Sequence, residues 1–206
     1  MITKILIILL VLIILYLTVI YIWYLYPSGF WGIKYKNTGD IKINDLKDNP
    51  YLFIIDHSEP AFTDIMIMSE EIHNHSDSDK FNLISTKCKG FNANMYYYTK
   101  YNIIQTEGDT VKKSIEKINK KENVVFFFKK HFKGKGIYHV LKQNNIPIVL
   151  VKKKLVKNPN NKELKNEILK YNGMEYEINY ELIKDYDIEN KNGEEFMDWV
   201  KEKLFD

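Results

Sequence analysis

An uncharged apolar run near the amino terminus constrains the fold more than any other feature of the chain. The run ILIILLVLIILYLTVIYIWYLY covers residues 5–26, which is 22 residues without a charged side chain. As a helix it would be roughly 30 Å long, which is the hydrocarbon thickness of a bilayer. A cleaved signal peptide has a shorter apolar core followed by a small-residue cleavage motif, and neither is present. The sequence therefore predicts an uncleaved, single-pass membrane anchor over residues 1–26.

The residues that follow the run indicate where the anchor ends and how it is oriented. Aromatic residues crowd its carboxyl end, as is typical of a membrane interface, and Pro27-Ser28-Gly29 ends the helix. Lys4 precedes the run, whereas four lysines follow it before residue 50, and this excess predicts a cytoplasmic location for the rest of the chain. We interpret residues 27–50 as a juxtamembrane segment along the bilayer surface. Residues 51–206 are long enough for one domain with its own core.

Composition excludes several classes of site. The net charge is only +3, so we expect no nucleic-acid partner. All 30 basic residues are lysines, so a phosphate site must use lysine or backbone N–H groups instead of the two-pronged arginine side chain. The single cysteine, Cys88, excludes an intrachain disulfide and a cysteine-rich zinc site. His73 and His75 are too few ligands for a metal, and we expect none.

Short apolar runs alternate with amphipathic segments along residues 51–206. We predict strands at YLFIID (51–56), FNLIST (81–86), NIIQT (102–106), NVVFFF (123–128), IPIVLV (146–151) and MEYEINYELI (174–183). We predict a helix from Asp64, capped by Thr63, to about Ile72, and a second that Gly108-Asp109-Thr110 opens. A third follows Lys135-Gly136 and runs to Gln143, and EEFMDWVKEKLF forms the last. The lysine-rich residues after IPIVLV are predicted to form a loop. The alternation indicates an α/β fold with a mostly parallel sheet flanked by helices.

The stretch FIIDHSEPAFTDIM contains the best candidate for catalysis. His57 follows the first predicted strand, and Glu59 and Asp64 lie within one loop's reach of it. Neutral histidine accepts a hydroxyl proton near pH 7 when a carboxylate holds its other ring nitrogen. Asp64 is the favoured partner because a helix N-terminus keeps a carboxylate ionised, and Glu59 is the alternative. From these residues alone, a surface loop without a catalytic role stays open.

The order of these parts resembles the glycerolipid acyltransferase family, the lysophosphatidic acid acyltransferase-like enzymes, over roughly residues 50–205. The family's first motif is Asn-His, four residues and Asp, after a strand and before a helix. Here it reads Asp56-His57, SEPAFT and Asp64. The family's glycine, helix and VPIVPV strand correspond to GIYHVLKQNNIPIVLV, which begins at Gly136. YEINYELI and EEFMDWVKEKL are similar to its later strand and terminal helix.

The chain departs from the family pattern at three places. Its connection between histidine and aspartate is two residues longer. The motif Phe-Pro-Glu-Gly-Thr-Arg appears as Phe126-Phe127-Phe128-Lys129-Lys130-His131, without the glutamate, glycine or arginine. The arginine of the second motif, expected near Ile104 to Glu107, is also missing. In the family these residues hold the phosphate of the acceptor, so the departures concern the acceptor more than the fold.

The resemblance implies a membrane-bound enzyme similar to 1-acylglycerol-3-phosphate acyltransferases. It would transfer an acyl chain from acyl-coenzyme A, a co-substrate and not a bound cofactor, to a lysophospholipid-type hydroxyl. His57 would be the general base and Asp64 its orienting acid. The alternative is a catalytically inactive relative that binds membrane lipids or acts as a scaffold.

A basic segment after the NVVFFF strand is the candidate replacement for the lost phosphate site. Glycines let the backbone approach an anion closely, and a following helix N-terminus adds N–H donors. We expect this segment to bind the phosphate of the acceptor or of coenzyme A through Lys129, Lys130, Lys133, Lys135 and Gly136. The alternative is a solvated loop that touches acidic lipid headgroups.

Overall fold

A computed structural model describes residues 2–30, 32–47, 50–58, 61–85, 102–106, 108–159 and 171–205. The helices in these ranges are α1 (Ile2–Leu25), α2 (Pro27–Phe30), α3 (Ala61–His73), α4 (Thr110–Asn119), α5 (Gly136–Gln143) and α6 (Gly193–Phe205). The strands are β1 (Lys34–Asn37), β2 (Leu52–Asp56), β3 (Phe81–Ser85), β4 (Asn102–Gln105), β5 (Asn123–Phe128), β6 (Ile148–Lys157) and β7 (Glu175–Ile183). Short 3₁₀ turns lie at Ile43–Asp45 and Ser78–Lys80.

The strands form one seven-stranded sheet in the order β1-β7-β6-β2-β5-β3-β4. The β6–β7 pair is antiparallel, and the other neighbouring strands run parallel. This confirms the predicted α/β class with a mostly parallel sheet, and it places the five predicted strands of residues 51–151 side by side. β2 is central and buried at every position. A strand covered on both faces by helices has no solvent-facing side, which explains its continuous apolar sequence.

Two apolar layers cover the faces of the sheet. Alternation along β2 sends Phe53 and Ile55 to one face, where α3 packs, and Leu52 and Ile54 to the other. The second layer is closed by apolar side chains of α4, α5 and α6. The parallel strands therefore end together at one edge, and the residues just beyond them share that edge.

The segment that the sequence analysis placed on the bilayer surface, residues 27–50, contributes to the sheet and the core. β1 pairs in parallel with β7 at the sheet edge. Ile33, Ile43 and Leu46 are all buried among residues of the α3 layer. The predicted boundary at residue 50 therefore divides residues that pack together. Three widely spaced apolar residues form no periodic pattern, so their burial depends on partners that lie far away in the sequence.

Two predicted local features are wrong. α3 begins at Ala61, so Thr63 lies inside its first turn and does not cap it. The lysine-rich residues 152–157 continue β6 as a strand paired with β7, and they do not form a loop. The pairing explains this result, because a hairpin strand exposed to solvent takes its hydrogen bonds from its neighbour and needs no apolar residues.

α1 has the length and composition to cross a membrane. The stretch Lys4–Trp23 has a mean hydropathy of 3.3, and none of it is buried inside the protein. The apolar span therefore stays outside the domain core, as expected of an anchor. Its carboxyl end is attached to the domain, because Trp23 packs against the α3 layer.

Candidate active site

His57 lies immediately beyond β2, at the edge where the parallel strands end. Its backbone N–H donates to the carbonyl oxygen of Phe128, the last residue of the neighbouring β5, at 2.9 Å. Its ring lies 5.7 Å from the ring of Phe127, measured between centroids. Two strand ends therefore hold the backbone of this residue. The carboxyl edge of the strands is also where open α/β sheets commonly bind ligands.

His57 and Asp64 form a hydrogen-bonded pair. Nδ1 of His57 lies 2.5 Å from Oδ2 of Asp64, a residue in the first turn of α3. The Asp64 side chain is 2% exposed and that of His57 is 16% exposed. An ionised carboxylate only accepts hydrogen bonds, so Nδ1 carries the proton of the neutral ring and Nε2 keeps its lone pair. Among the residues that the structure describes, none donates to or accepts from Nε2, so none of them prevents this nitrogen from acting as a base.

Lys153 of β6 completes the cluster, and the sequence analysis missed it. Its Nζ lies 3.5 Å from Oδ1 of Asp64, 3.1 Å from the carbonyl oxygen of Ser58 and 3.3 Å from Oγ1 of Thr63. The side chain is 4% exposed, and Nζ lies 5.5 Å from the centroid of the Tyr176 ring. A signal existed in the alternation of β6. Val149 and Val151 face the α3 layer, so the next residue on that face is Lys153.

Burial and neighbouring charge shift the pKa of the Asp64 carboxyl in opposite directions. Burial raises the pKa of the Asp64 carboxyl above its usual value, because a low-dielectric surrounding disfavours the charged form. The hydrogen bond from His57 and the charge of Lys153 lower the pKa and offset part of that increase. The hydrogen bond from His57 and the charge of Lys153 are thus what favours an ionised Asp64 in this buried position.

A cavity of about 650 Å³ lies at the same edge of the sheet, and neither His57 nor Asp64 lines it. Asp56 and Ser58, the two neighbours of His57 in the chain, line it. Four lysines, two carboxylates and four large apolar side chains line it: Lys130, Lys152, Lys153 and Lys154, Asp56 and Glu177, with Leu155, Ile178, Leu204 and Phe205. This combination suits a ligand that has both an anionic group and an apolar part.

The predicted phosphate-binding segment follows β5 at the same edge of the sheet as His57. Its four lysines are exposed, and Lys130 is the one that lines the cavity: the others are Lys129, Lys133 and Lys135. Lys135 pairs with Glu194 at 3.3 Å, and Gly136 begins α5. The anion-binding role of the segment stays a prediction. Glu59, the alternative partner for His57, lies outside the described residues.

In the part of the chain that the structure describes, no group of three or more His, Cys, Asp or Glu side chains is arranged to hold a metal ion. His75 is buried, with Nε2 3.3 Å from the carbonyl oxygen of Leu46, and its Nδ1 accepts the N–H of Asp77. These contacts give His75 a structural role.

Comparison with known proteins supports the fold. No protein-family model matches the sequence, and no curated protein matches it. The structure is similar to the crystal structure of the 1-acyl-sn-glycerophosphate (LPA) acyltransferase PlsC from Thermotoga maritima, with a TM-score of 0.57 and 12% sequence identity. The similarity covers 88% of this chain and 75% of that chain. At this identity the comparison shows a shared acyltransferase-like fold.

Proposed function

We propose that this protein is a membrane-anchored acyltransferase that moves an acyl chain from acyl-coenzyme A to the hydroxyl group of a lysophospholipid-type acceptor. The observation that carries the proposal is the hydrogen-bonded His57–Asp64 pair at the carboxyl edge of the sheet. The similarity to an acyltransferase supports the class of reaction. The donor, the acceptor and the membrane setting are proposals.

The pair can perform the proton transfers that the reaction requires. Nε2 of His57 removes the proton of the acceptor hydroxyl as its oxygen attacks the thioester carbonyl carbon, and a C–O bond forms. The tetrahedral intermediate then collapses with cleavage of the C–S bond. The imidazolium returns its proton to the leaving thiolate, so free coenzyme A and an ester are the products. Asp64 holds the ring through Nδ1 and stabilises the imidazolium between the two steps.

We propose that the cavity at the same edge of the sheet binds the anionic group of the acceptor or of coenzyme A. Lys130, Lys152 and Lys154 line it. They would take the part that arginine plays in the family, as single point charges and not as two-pronged donors. We further propose that α1 anchors the domain on the cytoplasmic side, in line with the lysine excess after the apolar run.

An assay on the full-length protein in proteoliposomes tests this proposal. Thiol release is measured with a panel of acyl-coenzyme A donors and lysophospholipid acceptors. His57→Ala should lower the rate by about 10²–10⁴-fold, the usual contribution of a general base. Activity that survives this change refutes the mechanism. An unmutated protein that binds lysophospholipid but transfers no acyl chain would support the inactive lipid-binding alternative.

A further inference from the structure

We propose that Lys153 is a positioning residue that closes the lengthened connection between His57 and Asp64 and lowers the proton affinity of that pair. The catalytic consequence rests on the proposed function. The positioning itself rests on contacts that exist whether or not the protein is an enzyme.

The contacts of Lys153 span the extra length of the connection. Six residues separate His57 from Asp64, whereas the family pattern has four. Ser58 is the first of the six and Thr63 is the last. Nζ of Lys153 lies 3.1 Å from the carbonyl oxygen of Ser58 and 3.3 Å from Oγ1 of Thr63. The lysine therefore contacts both ends of the connection.

The third contact of Lys153 is with the carboxylate of Asp64, the proposed partner of His57. Nζ lies 3.5 Å from Oδ1 of Asp64, while Oδ2 of the same carboxylate binds His57. An ammonium group has three N–H donors, and three acceptors surround this one. No donor remains for a substrate, so Lys153 acts through Asp64 and does not touch the reacting atoms.

The position of the Lys153 charge determines whether the proton affinity of the His57–Asp64 pair rises or falls. Three ionisable groups lie close to the Lys153 ammonium: Asp64 on α3, His57 beyond Asp64, and Tyr176 on β7. A proton added to the His57–Asp64 pair adds positive charge next to a buried cation, which disfavours the protonated pair. Removing the cation therefore makes the pair hold its proton to higher pH. The pair titrates as a unit, so the measurable quantity is its apparent midpoint.

The experiment measures the titration midpoint of the His57 ring by ¹⁵N NMR in the full chain. Lys153→Met should raise the midpoint on the order of one pH unit, the size of shift that a close charge usually causes. The acid limb of the kcat/KM profile should move to higher pH by the same amount. Lys153→Arg, which keeps the charge, should restore most of the original midpoint. Lys201→Met is the matched control, because Lys201 on α6 pairs with the exposed Asp198 at 2.8 Å.

The NMR midpoint separates this inference from the proposed function. An unchanged midpoint in folded Lys153→Met protein overturns the inference, even if the unmutated protein is active. A raised midpoint supports it, even if no acyl transfer is found. If Lys153→Met does not fold, Lys153→Gln decides, because it removes the charge but keeps an N–H donor near Ser58 and Thr63. It should raise the midpoint in the same direction, and an unchanged midpoint overturns the inference.

A second, independent feature is an exposed apolar surface at the far end of the β6–β7 hairpin. Leu155 and Val156 are 40% and 55% exposed. Val156 lines a cavity of about 200 Å³ together with Lys34 and Lys36. Lys154, one residue earlier in β6, is also exposed. Exposed apolar side chains flanked by lysines are typical of surfaces that bind anionic membranes.

The hairpin end lies beside the residues that follow the membrane anchor. Gly173 donates its N–H to the carbonyl oxygen of Gly32, and Lys34 donates its N–H to that of Met174, both at 2.9 Å. Gly32 stands two residues after α2, which follows α1 directly. The hairpin end is therefore held within a few residues of the point where α1 would leave the bilayer.

We infer that this hairpin end binds the surface of the bilayer that α1 enters, with Leu155 and Val156 among the lipid headgroups and Lys34, Lys36 and Lys154 beside lipid phosphates. This inference rests on the proposed membrane span and not on acyl transfer.

Nitroxide accessibility in the full chain tests the inference. Cys88 is replaced by Ser, and a spin label is attached at Val156→Cys in protein reconstituted into liposomes that contain anionic lipid. The control label is at Glu189→Cys, an exposed position that follows the opposite end of β7. Relaxation by oxygen should exceed relaxation by a water-soluble nickel complex at position 156, and the reverse should hold at position 189. A water-like profile at position 156 in liposome-bound protein overturns the inference.

Discussion

Replacing Asp64 with asparagine tests the site because this carboxylate binds a different donor with each oxygen. Oδ2 accepts from Nδ1 of His57 at 2.5 Å, and Oδ1 lies 3.5 Å from Nζ of Lys153. Asparagine has nearly the same shape but offers one acceptor and one donor. One of the two partners must therefore face an amide NH₂ group.

The buried cation decides which partner keeps the oxygen. An ammonium facing an NH₂ group is repelled, whereas an imidazole can accept a hydrogen bond if its proton moves to the other nitrogen. We expect the amide oxygen to turn toward Lys153 and the NH₂ group toward Nδ1. His57 then carries its proton on Nε2, which leaves no lone pair to accept the proton of the acceptor hydroxyl.

These contacts determine how much activity and how much stability the Asp64→Asn change should remove. Transfer activity should fall by about 10²–10⁴-fold, as for loss of the general base. The free energy of unfolding should fall by about 2–3 kcal/mol, because one charge-assisted hydrogen bond in a buried site is weakened. The free energy of unfolding should fall no further than this, because Lys153 keeps its contacts with Ser58 and Thr63.

Three measurements on Asp64→Asn check the reasoning: thiol release, urea unfolding, and the ¹⁵N shifts of the His57 ring, which report which nitrogen is protonated. Asp198→Asn is the control, since Asp198 is 73% exposed and pairs with Lys201. Exposed ion pairs contribute little, so that change should alter unfolding by about 0.5 kcal/mol or less. Asp64→Asn protein that keeps its activity, or keeps the proton on Nδ1, would refute the proposed role of Asp64.

Three further predictions concern the anchor, the basic segment and pH. Carbonate extraction should leave the full-length protein in the membrane pellet, and deletion of residues 1–26 should release much of it; full-length protein in the supernatant would contradict the anchor. Changing Lys129, Lys130, Lys133 and Lys135 together to Gln should weaken binding of coenzyme A or anionic lipid and reduce its salt dependence, because exposed charges are screened by salt. The same change at Lys112, Lys113, Lys120 and Lys121 on and after α4 is the control, and equal effects would remove the special role of the segment. Burial raises the pKa of Tyr186 to about 12, so this residue favours folding below its unfolded pKa of about 10 and that contribution is lost as pH rises from 10 to 12. Tyr186→Phe should flatten the stability curve in this window, and a curve unchanged by the substitution would count against the shift.

Much of the fold was predictable because the elements nearest the core carry strong local patterns. β2 and the first half of β6 are covered on both faces, so their sequences are uninterrupted apolar runs. α1 needs only length and hydropathy to be recognised. His57 and Asp64 were predictable as partners because the strand, loop and helix between them form one short stretch of sequence. The distance and burial that make them a pair came only from the structure.

The two strand segments that the sequence did not predict are β1 and the outer half of β6. The outer half of β6 has four lysines and two adjacent apolar residues, so it lacks the alternation of a half-buried strand, and pairing with β7 supplies its hydrogen bonds. β1 joins the sheet only because β7 offers it a free edge. β1 depends on a partner strand more than a hundred residues away, and the outer half of β6 depends on its antiparallel pairing with β7. Local propensity encodes neither pairing.

The sequence by itself determined that this chain has an apolar span followed by an α/β sheet, and that a histidine follows the first buried strand of that sheet. Periodicity and hydropathy are local properties, and they predict these features without knowledge of neighbours. The tertiary structure alone decided that Lys153 reaches Asp64, because the two residues are 89 positions apart and meet only when β6 pairs with β2 and α3 packs on their shared face. The alternation of β6 places Lys153 on the α3 face, but the sequence does not show that a carboxylate meets it there. Its burial beside a carboxylate gives it a specific role, and that burial exists only in the folded protein.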